Sequence, residues 1–521
     1  MNTKSVSELE LTEAGSRNEN EVTNKSEANK KSEGTSGHRL TYLEKVKNIF
    51  KFFTVEPFLL CYIMPNIISS LAVQKLNMEK ACRSDLNFTE EICALAFSGD
   101  AQEDNITTAA LNGAQKLVAD MTAWKQPLQS GIPAIAILFV GAWSDRTGNR
   151  KALMLVPIMG ELISAVGLLL TTYFFLEWPL WVTALIEALP SAFTGGLSIA
   201  LMGSYSYIAD VTTVESRTFR IGVVAVIVTL GIPLGSSISG VLTEAVGYYG
   251  IFGIGTLLYV FAFIQTYFRV HDVKRVDIEG SFLDKLIQFF HPKHAWETIS
   301  LLFLSSKKQL IQILLVIWAH IVITGPVYGE AGVMFLYTLK KYNMTVVEFS
   351  LFSTYSILLG LGGTTIAVTV FSKWLKIHDA LIGVLATTCK VTASFVYSLA
   401  PTKSWFYSGP AFDLFGNSGT TAIRSLGTKV VDQDKVGKMC SLIGFVEAII
   451  PVIYSPLYSK VYSLTLDTFS GAFYLLGGFM TMPAFFIFIF LYFIQRREAR
   501  DRVQNPDAKE EHAHANPVSV L

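Results

Sequence analysis

Long apolar runs alternate with short polar turns along most of the chain. Each run is about twenty residues, the length a helix needs to cross the hydrocarbon of a bilayer. The runs lie near 54–75, 124–142, 152–175, 180–208, 220–243, 249–269, 309–337, 347–371, 379–400, 404–426, 438–462 and 470–495. The pattern predicts an all-α polytopic membrane protein with twelve transmembrane helices. A polar stretch from His271 to Lys308 divides them into two groups of six. The expected organisation is a disordered tail (1–53), a six-helix bundle (54–269), a linker (270–308), a second six-helix bundle (309–495) and a further tail (496–521). In such a layout substrate sits between the two bundles. Pro127, Pro133 and the Gly325-Pro326 pair interrupt the second and seventh runs, which membrane helices tolerate when neighbours re-satisfy the backbone.

Composition agrees. Hydrophobic residues make up 51% of the 521 positions and charged residues only 16%, with a mean hydropathy of +0.42. That is too apolar for a soluble chain of this size. A net charge of zero removes the electrostatic case for nucleic acid. Basic residues then set the orientation. With the N-terminus inside, short inner loops carry ten Lys and Arg and short outer loops four, so both termini are expected in the cytoplasm. The segment 76–123 is then external. It holds two glycosylation sequons, at Asn87 and Asn105, and a third at Asn343 falls in another outer loop. Cys82 and Cys93 share the first of these loops and are candidates for a disulfide.

Ionisable residues inside apolar spans are costly to place there, so each is a functional candidate. Glu161 falls in the third span, Glu187 in the fourth, His320 and Glu330 in the seventh, Asp413 and Arg424 in the tenth and Glu447 in the eleventh. Asp413 and Arg424 are three helical turns apart and nearly share a face, with Asn417 a turn beyond Asp413. The seventh span adds Tyr328 beside its Gly-Pro break. Arg424, Asp413, Asn417 and Tyr328 are the candidate substrate ligands. Glu447, Glu187, Glu330 and His320 are the candidate proton carriers, because buried carboxylates and histidines load and release protons near physiological pH. Glu56 and His378 lie near cytoplasmic helix ends and read as interfacial.

The turn from Gly141 to Lys151 has the spacing G-x-x-x-D-R-x-G-x-R-K. It resembles the cytoplasmic loop between the second and third helices of major facilitator transporters. Gly141, Asp145, Arg146, Gly148 and Arg150 are therefore the candidate gating residues, with Asp145 able to latch onto an arginine. Thr54-Val55-Glu56-Pro57, Ala209-Asp210-Val211 leading to Ser216-Arg217-Thr218-Phe219-Arg220, Ala422-Ile423-Arg424-Ser425-Leu426 and Phe445-Val446-Glu447 together make residues 50 to 495 similar to solute carrier family 46. The resemblance implies a proton symporter most active at acid pH, carrying reduced folates in one branch and muropeptides or related anionic conjugates in others. It also implies roles in substrate binding for Arg424 and in cycling for Asp145 and Arg146. Two departures weaken a folate assignment. The fifth-helix carboxylate of the folate branch is replaced by Ala225, and His320 lies about two turns from the position of that branch's seventh-helix histidine.

Enzyme chemistry is not expected, since no nucleotide-binding glycine pattern or H-E-x-x-H occurs. No metal site or cofactor is expected; a proton is the expected coupling ion. The expected partners are the bilayer and a small organic anion, in the plasma membrane or an endosomal or lysosomal one. Ser519-Val520-Leu521 has the form of a PDZ-domain ligand. Two other readings remain at this stage, an uncoupled facilitator or exchanger of the same fold and a ligand-binding receptor that moves nothing.

Overall fold

The computed structural model describes residues 54–97, 105–212, 214–272, 306–431 and 436–504. The tail 1–53, most of the linker 270–308 and the C-terminal Ser519-Val520-Leu521 lie outside the described residues. Val55–Leu521 forms one compact unit, and among its described residues there is no strand. Among the described residues, nine helical stretches are long and apolar enough to span a membrane. One of these, Leu180–Val211, is the fourth span. Another lies within the helix Val214–Arg269, which breaks at Gly247, where φ is 64°, and so supplies both the fifth and sixth spans. The second span, Asn105–Thr147, and the tenth, Lys403–Phe412 with Ser418–Val430, complete the twelve.

Local chemistry sets several helix starts. Asn149 caps Arg150–Tyr173 through the Ala152 amide. Thr345 and Glu348 form a reciprocal capping box at the head of Val346–Ile366, which satisfies two amides that the first turn leaves free. Thr402 caps Lys403–Phe412.

Two expectations are corrected. The segment 76–123 is not an open loop. The first helix, Glu56–Lys80, continues as a π turn through Asp85, and the second begins at Asn105. Ala110, Ala114, Val118 and Met121 are buried at helical spacing, a stripe that hydropathy averaging over their polar neighbours conceals. Nor do Asp413 and Arg424 share one helix face. A turn at 413–417 divides the tenth span, so the three-turn spacing does not apply.

The structure joins Cys82 to Cys93, with Cα atoms 6.0 Å apart. Asn87, Asn105 and Asn343 are all exposed, and all lie at the end of the bundle that carries this bridge. We predict glycan at these asparagines. Enzymatic deglycosylation should sharpen and speed the band of the expressed protein on a gel, and the triple Asn→Gln variant should remove that response. An unchanged band in the wild type would place this end of the bundle in the cytoplasm.

The bundles are sewn together at the same end. Gln115 Nε2 of the second span donates to Leu336 O of the seventh at 2.9 Å, and the Tyr462 hydroxyl of the eleventh donates to Gln115 Oε1 at 3.0 Å. Asn112 meets Asp467 at 3.0 Å, and Lys460 meets Asp120 at 2.9 Å. On the opposite flank the Ser350 hydroxyl donates to Ser236 O, joining the eighth span to the fifth. Behind this seam the second bundle packs an aromatic cluster. The Tyr337 ring lies 5.4 to 5.9 Å from Phe473, Tyr474, Tyr342 and Phe406, separations at which aromatic pairs attract beyond their buried area.

Candidate functional site

The polar residues of the spans fall into separate clusters. One lies between the bundles. Arg424 Nη2 is 2.5 Å from Glu447 Oε2, with the side chains 58% and 30% exposed. Tyr328 and His320 of the seventh span and Tyr205 of the fourth interact electrostatically with Arg424. His320 is itself fully buried, with Nδ1 3.4 Å from Thr324 Oγ1 and Nε2 unpartnered. The site thus draws on both bundles, and more than half of the Arg424 side chain is exposed. A planar fork of five donors in that position suits a carboxylate, sulfate or phosphate.

The backbone supports the same chemistry. The fourth span stops at Thr194 and restarts at Gly196, with Gly195 and Gly196 at φ 86° and 52°. A Cβ at Gly195 would stand 2.0 Å from Ile199 Cδ1, so both conformation and space demand glycine there. In the corresponding place of the second bundle, the tenth span breaks at 413–417. Gly363 of the eighth span lets its backbone press against that turn, since a Cβ there would meet Leu414 O at 1.7 Å. Paired breaks in equivalent helices mark the binding region of many transporters, and the new helix N-termini inside the membrane favour anions.

The other candidates lie elsewhere. Glu330 pairs with Lys390 at 2.8 Å, and Lys390 reaches Asp413 at 3.5 Å. Asn417 stands against Gly360, whose added Cβ would be 2.5 Å from its Nδ2. Glu187 pairs with Lys125 at 2.5 Å and accepts from Asn77 at 2.9 Å. Glu161 accepts from Tyr62 at 3.3 Å and Ser191 at 3.1 Å. Thus Arg424, Tyr328, Glu447 and His320 come together, whereas Asp413, Asn417, Glu330 and Glu187 do not join them. Lys125 and Lys390 were missed in the sequence reading. Each is a lysine in or beside an apolar run, and that alone made it a candidate. Glu161 and Lys390 also stand at the same register in the third and ninth helices, a sign of the repeat that relates the bundles.

At the opposite end from the disulfide, Gly148 turns the chain at φ 64°. Gly141 packs on Met202 of the fourth span, where an added Cβ would be 3.7 Å from its sulfur. Arg150 Nε donates to Asp210 Oδ2 at 2.9 Å, Arg150 Nη1 to Ser144 Oγ at 2.7 Å, and the Arg150 amide to Asp272 Oδ1 at 2.8 Å. Arg146 is exposed; the side chain of Asp145 lies outside what is described. The turn is therefore tied to the ends of the fourth and sixth spans. Beside it, Arg220 grips Glu56 through two bonds of 3.0 and 3.1 Å. Glu56 is 4% exposed, so it is buried and paired where an interfacial position was expected.

The Major Facilitator Superfamily family model matches residues 119–454. The chain is similar to the probable peptidoglycan muropeptide transporter SLC46 of Drosophila melanogaster, at 24% identity over 82% of this chain and 83% of that protein. It is also similar to the lysosomal proton-coupled steroid conjugate and bile acid symporter SLC46A3 of Gallus gallus, 25% identical over 82% and 91%. A third relative is the proton-coupled folate transporter of Rattus norvegicus, 22% identical over 75% and 84%. Among solved structures it resembles a D-xylose-proton symporter, with a TM-score of 0.56 and 15% identity over 84% of this chain and 97% of that one. The human organic anion transporter MFSD10 (TETRAN) gives 0.52 and 14% over 84% and 98%. At these identities the structural likeness establishes the fold alone.

Proposed function

The chain belongs to the Major Facilitator Superfamily, with its similarities in solute carrier family 46, and from that premise we propose that this secondary transporter is a proton-coupled symporter of an organic anion. The observation that carries the reading is Arg424, a side chain more than half exposed between the bundles whose carboxylate partner Glu447 is also partly exposed. Glu447 pairs with Arg424. An anionic group of the substrate competes for the same fork. A proton on Glu447 removes that competition, so proton and anion load together and the occupied site carries less net charge through the bilayer. Tyr205 and Tyr328 flank the anion from opposite bundles.

Bile acids, folates and muropeptides, named for the relatives, share a carboxylate on a larger body. That is the substrate class we assign. The disulfide end faces outside the cell or into an acidic lumen, and both termini face the cytoplasm. The closed seam then lies on the side away from the cytoplasm. An acidic compartment on the far side supplies the proton, whether the protein sits in the plasma membrane or in an endosomal or lysosomal one.

The test is uptake of labelled folate, bile acid conjugate and muropeptide into proteoliposomes, with and without an imposed proton gradient. Concentrative uptake of one compound, collapsed by a protonophore, is expected. Equilibration of a compound to equal concentrations regardless of the gradient would replace symport with uncoupled facilitation.

A further inference from the structure

Inside the second bundle lies a set of ionisable groups that the anion site does not use. Lys390 of the ninth span stands between Glu330 of the seventh and Asp413 of the tenth, at 2.8 and 3.5 Å. Glu330 is 6% exposed and Lys390 8%. Two carboxylates and one ammonium leave a surplus negative charge if all are ionised. Asp413 is the most open of the three, its side chain 24% exposed. An uncompensated charge inside a membrane bundle is costly.

Hydrogen-bond accounting reaches the same point independently. Glu330 uses Oε2 for Lys390 and leaves Oε1 buried with no partner; Asp413 Oδ1 is in the same position. The hydroxyls of Tyr458 and Tyr474 are also buried without partners. A carboxylate can only accept, whereas a carboxylic acid also donates. Glu330 Oε1 and the Tyr458 hydroxyl flank the same glycine, for a Cβ on Gly477 would stand 2.7 Å from one and 2.9 Å from the other. Glycine keeps that space open. Facing the pair of acids are Cys389, Lys390 and Tyr397 of the ninth span, Tyr458 of the eleventh and Tyr474 of the twelfth. Tyrosines and an unperturbed thiol are mainly neutral near pH 7, so the lysine and the two acids decide the charge.

We propose that Glu330, Lys390 and Asp413 form a proton-binding site holding one proton shared between the two carboxyls, separate from Glu447. The proposal deepens the symport reading and rests on it for the site's part in transport. Asp413 begins the turn that breaks the tenth span, so the proton's residence is joined to the geometry of that break. Removing either acid leaves a neutral lysine–carboxylate pair that has no need of a proton. The two single variants should therefore lose the proton equally.

The experiment is infrared difference spectroscopy of the full chain in lipid at about pH 7, where ordinary carboxyls are ionised. Wild type minus Glu330→Gln and wild type minus Asp413→Asn should each show the carbonyl band of one protonated carboxyl, while wild type minus Glu447→Gln should lack it. Contributions from Glu161 cancel in each difference. A band absent from both differences, or present in only one, overturns the shared site. So does a wild-type unfolding temperature raised by sodium and abolished as a response in both variants, which would make the site one for a metal cation. If the band behaves as expected but no substrate is driven by a proton gradient, the site stands and the symport reading falls. Gradient-driven uptake with a band insensitive to both substitutions gives the reverse.

Discussion

Arg424→Ala should lower concentrative uptake on the order of hundredfold, with the protein still reaching the membrane. The guanidinium is the cation that meets both Glu447 and the space between the bundles. Removing one partner of a charge pair that becomes desolvated on binding costs roughly 2–5 kcal/mol, and each 1.4 kcal/mol is about a factor of ten. The lower part of that range applies here, since both side chains of the pair are partly exposed. Arg424→Lys keeps the charge but loses the planar fork and should recover only part of the activity. Glu447 loses its partner in Arg424→Ala, so the remaining uptake of that variant should also respond less to the proton gradient. Initial rates at matched surface expression decide the matter, and wild-type rates in Arg424→Ala would remove the residue from the site.

The second large effect concerns folding. Arg220→Ala should destabilise the protein by roughly 3–5 kcal/mol, because it leaves the buried Glu56 carboxylate without its bidentate partner. The pair joins the head of the first span to the fifth, at the end where Arg150 ties the turn after the second span to Asp210. Thermal unfolding in detergent should show a marked fall for the single variant. Glu56→Gln combined with Arg220→Met should recover most of it, since apolar or neutral groups of similar volume replace buried ion pairs at little cost. If the double variant is no more stable than the single one, the loss comes from packing and the charge argument fails.

The number of spans and the division into two bundles were legible because a bilayer imposes a length and an apolarity that any window of the sequence reveals. The acids inside the spans were legible for the same reason. Their partners were not. Glu187 finds Lys125, 62 residues away, and Glu330 finds Lys390, 60 residues away, through the rotation of helices about their axes, which no local pattern fixes. The break in the tenth span was hidden because 413–417 carries one glycine in a run that reads as helix, and the eighth span's Gly363, far off in sequence, accommodates the turn. Asn105 at a helix start was hidden because a narrow alanine stripe, not an apolar run, holds that part of the second helix.

The aromatic cluster around Tyr337 has a consequence for motion. It welds the seventh, ninth, tenth and twelfth spans of the second bundle together behind the seam, through ring contacts that no single rotamer change can undo. The corresponding region of the first bundle has smaller, separate ring pairs, Phe174 on Trp178 and Tyr248 on Phe252, beside the Cys82–Cys93 tie and a polar contact of Lys80 with Phe175 O. The second bundle is therefore expected to be the stiffer half and the first the one that moves. Amide exchange should be slowest around Tyr337, Phe406 and Tyr474. When the seam opens, the first bundle should swing away from a partner that hardly changes its own interior.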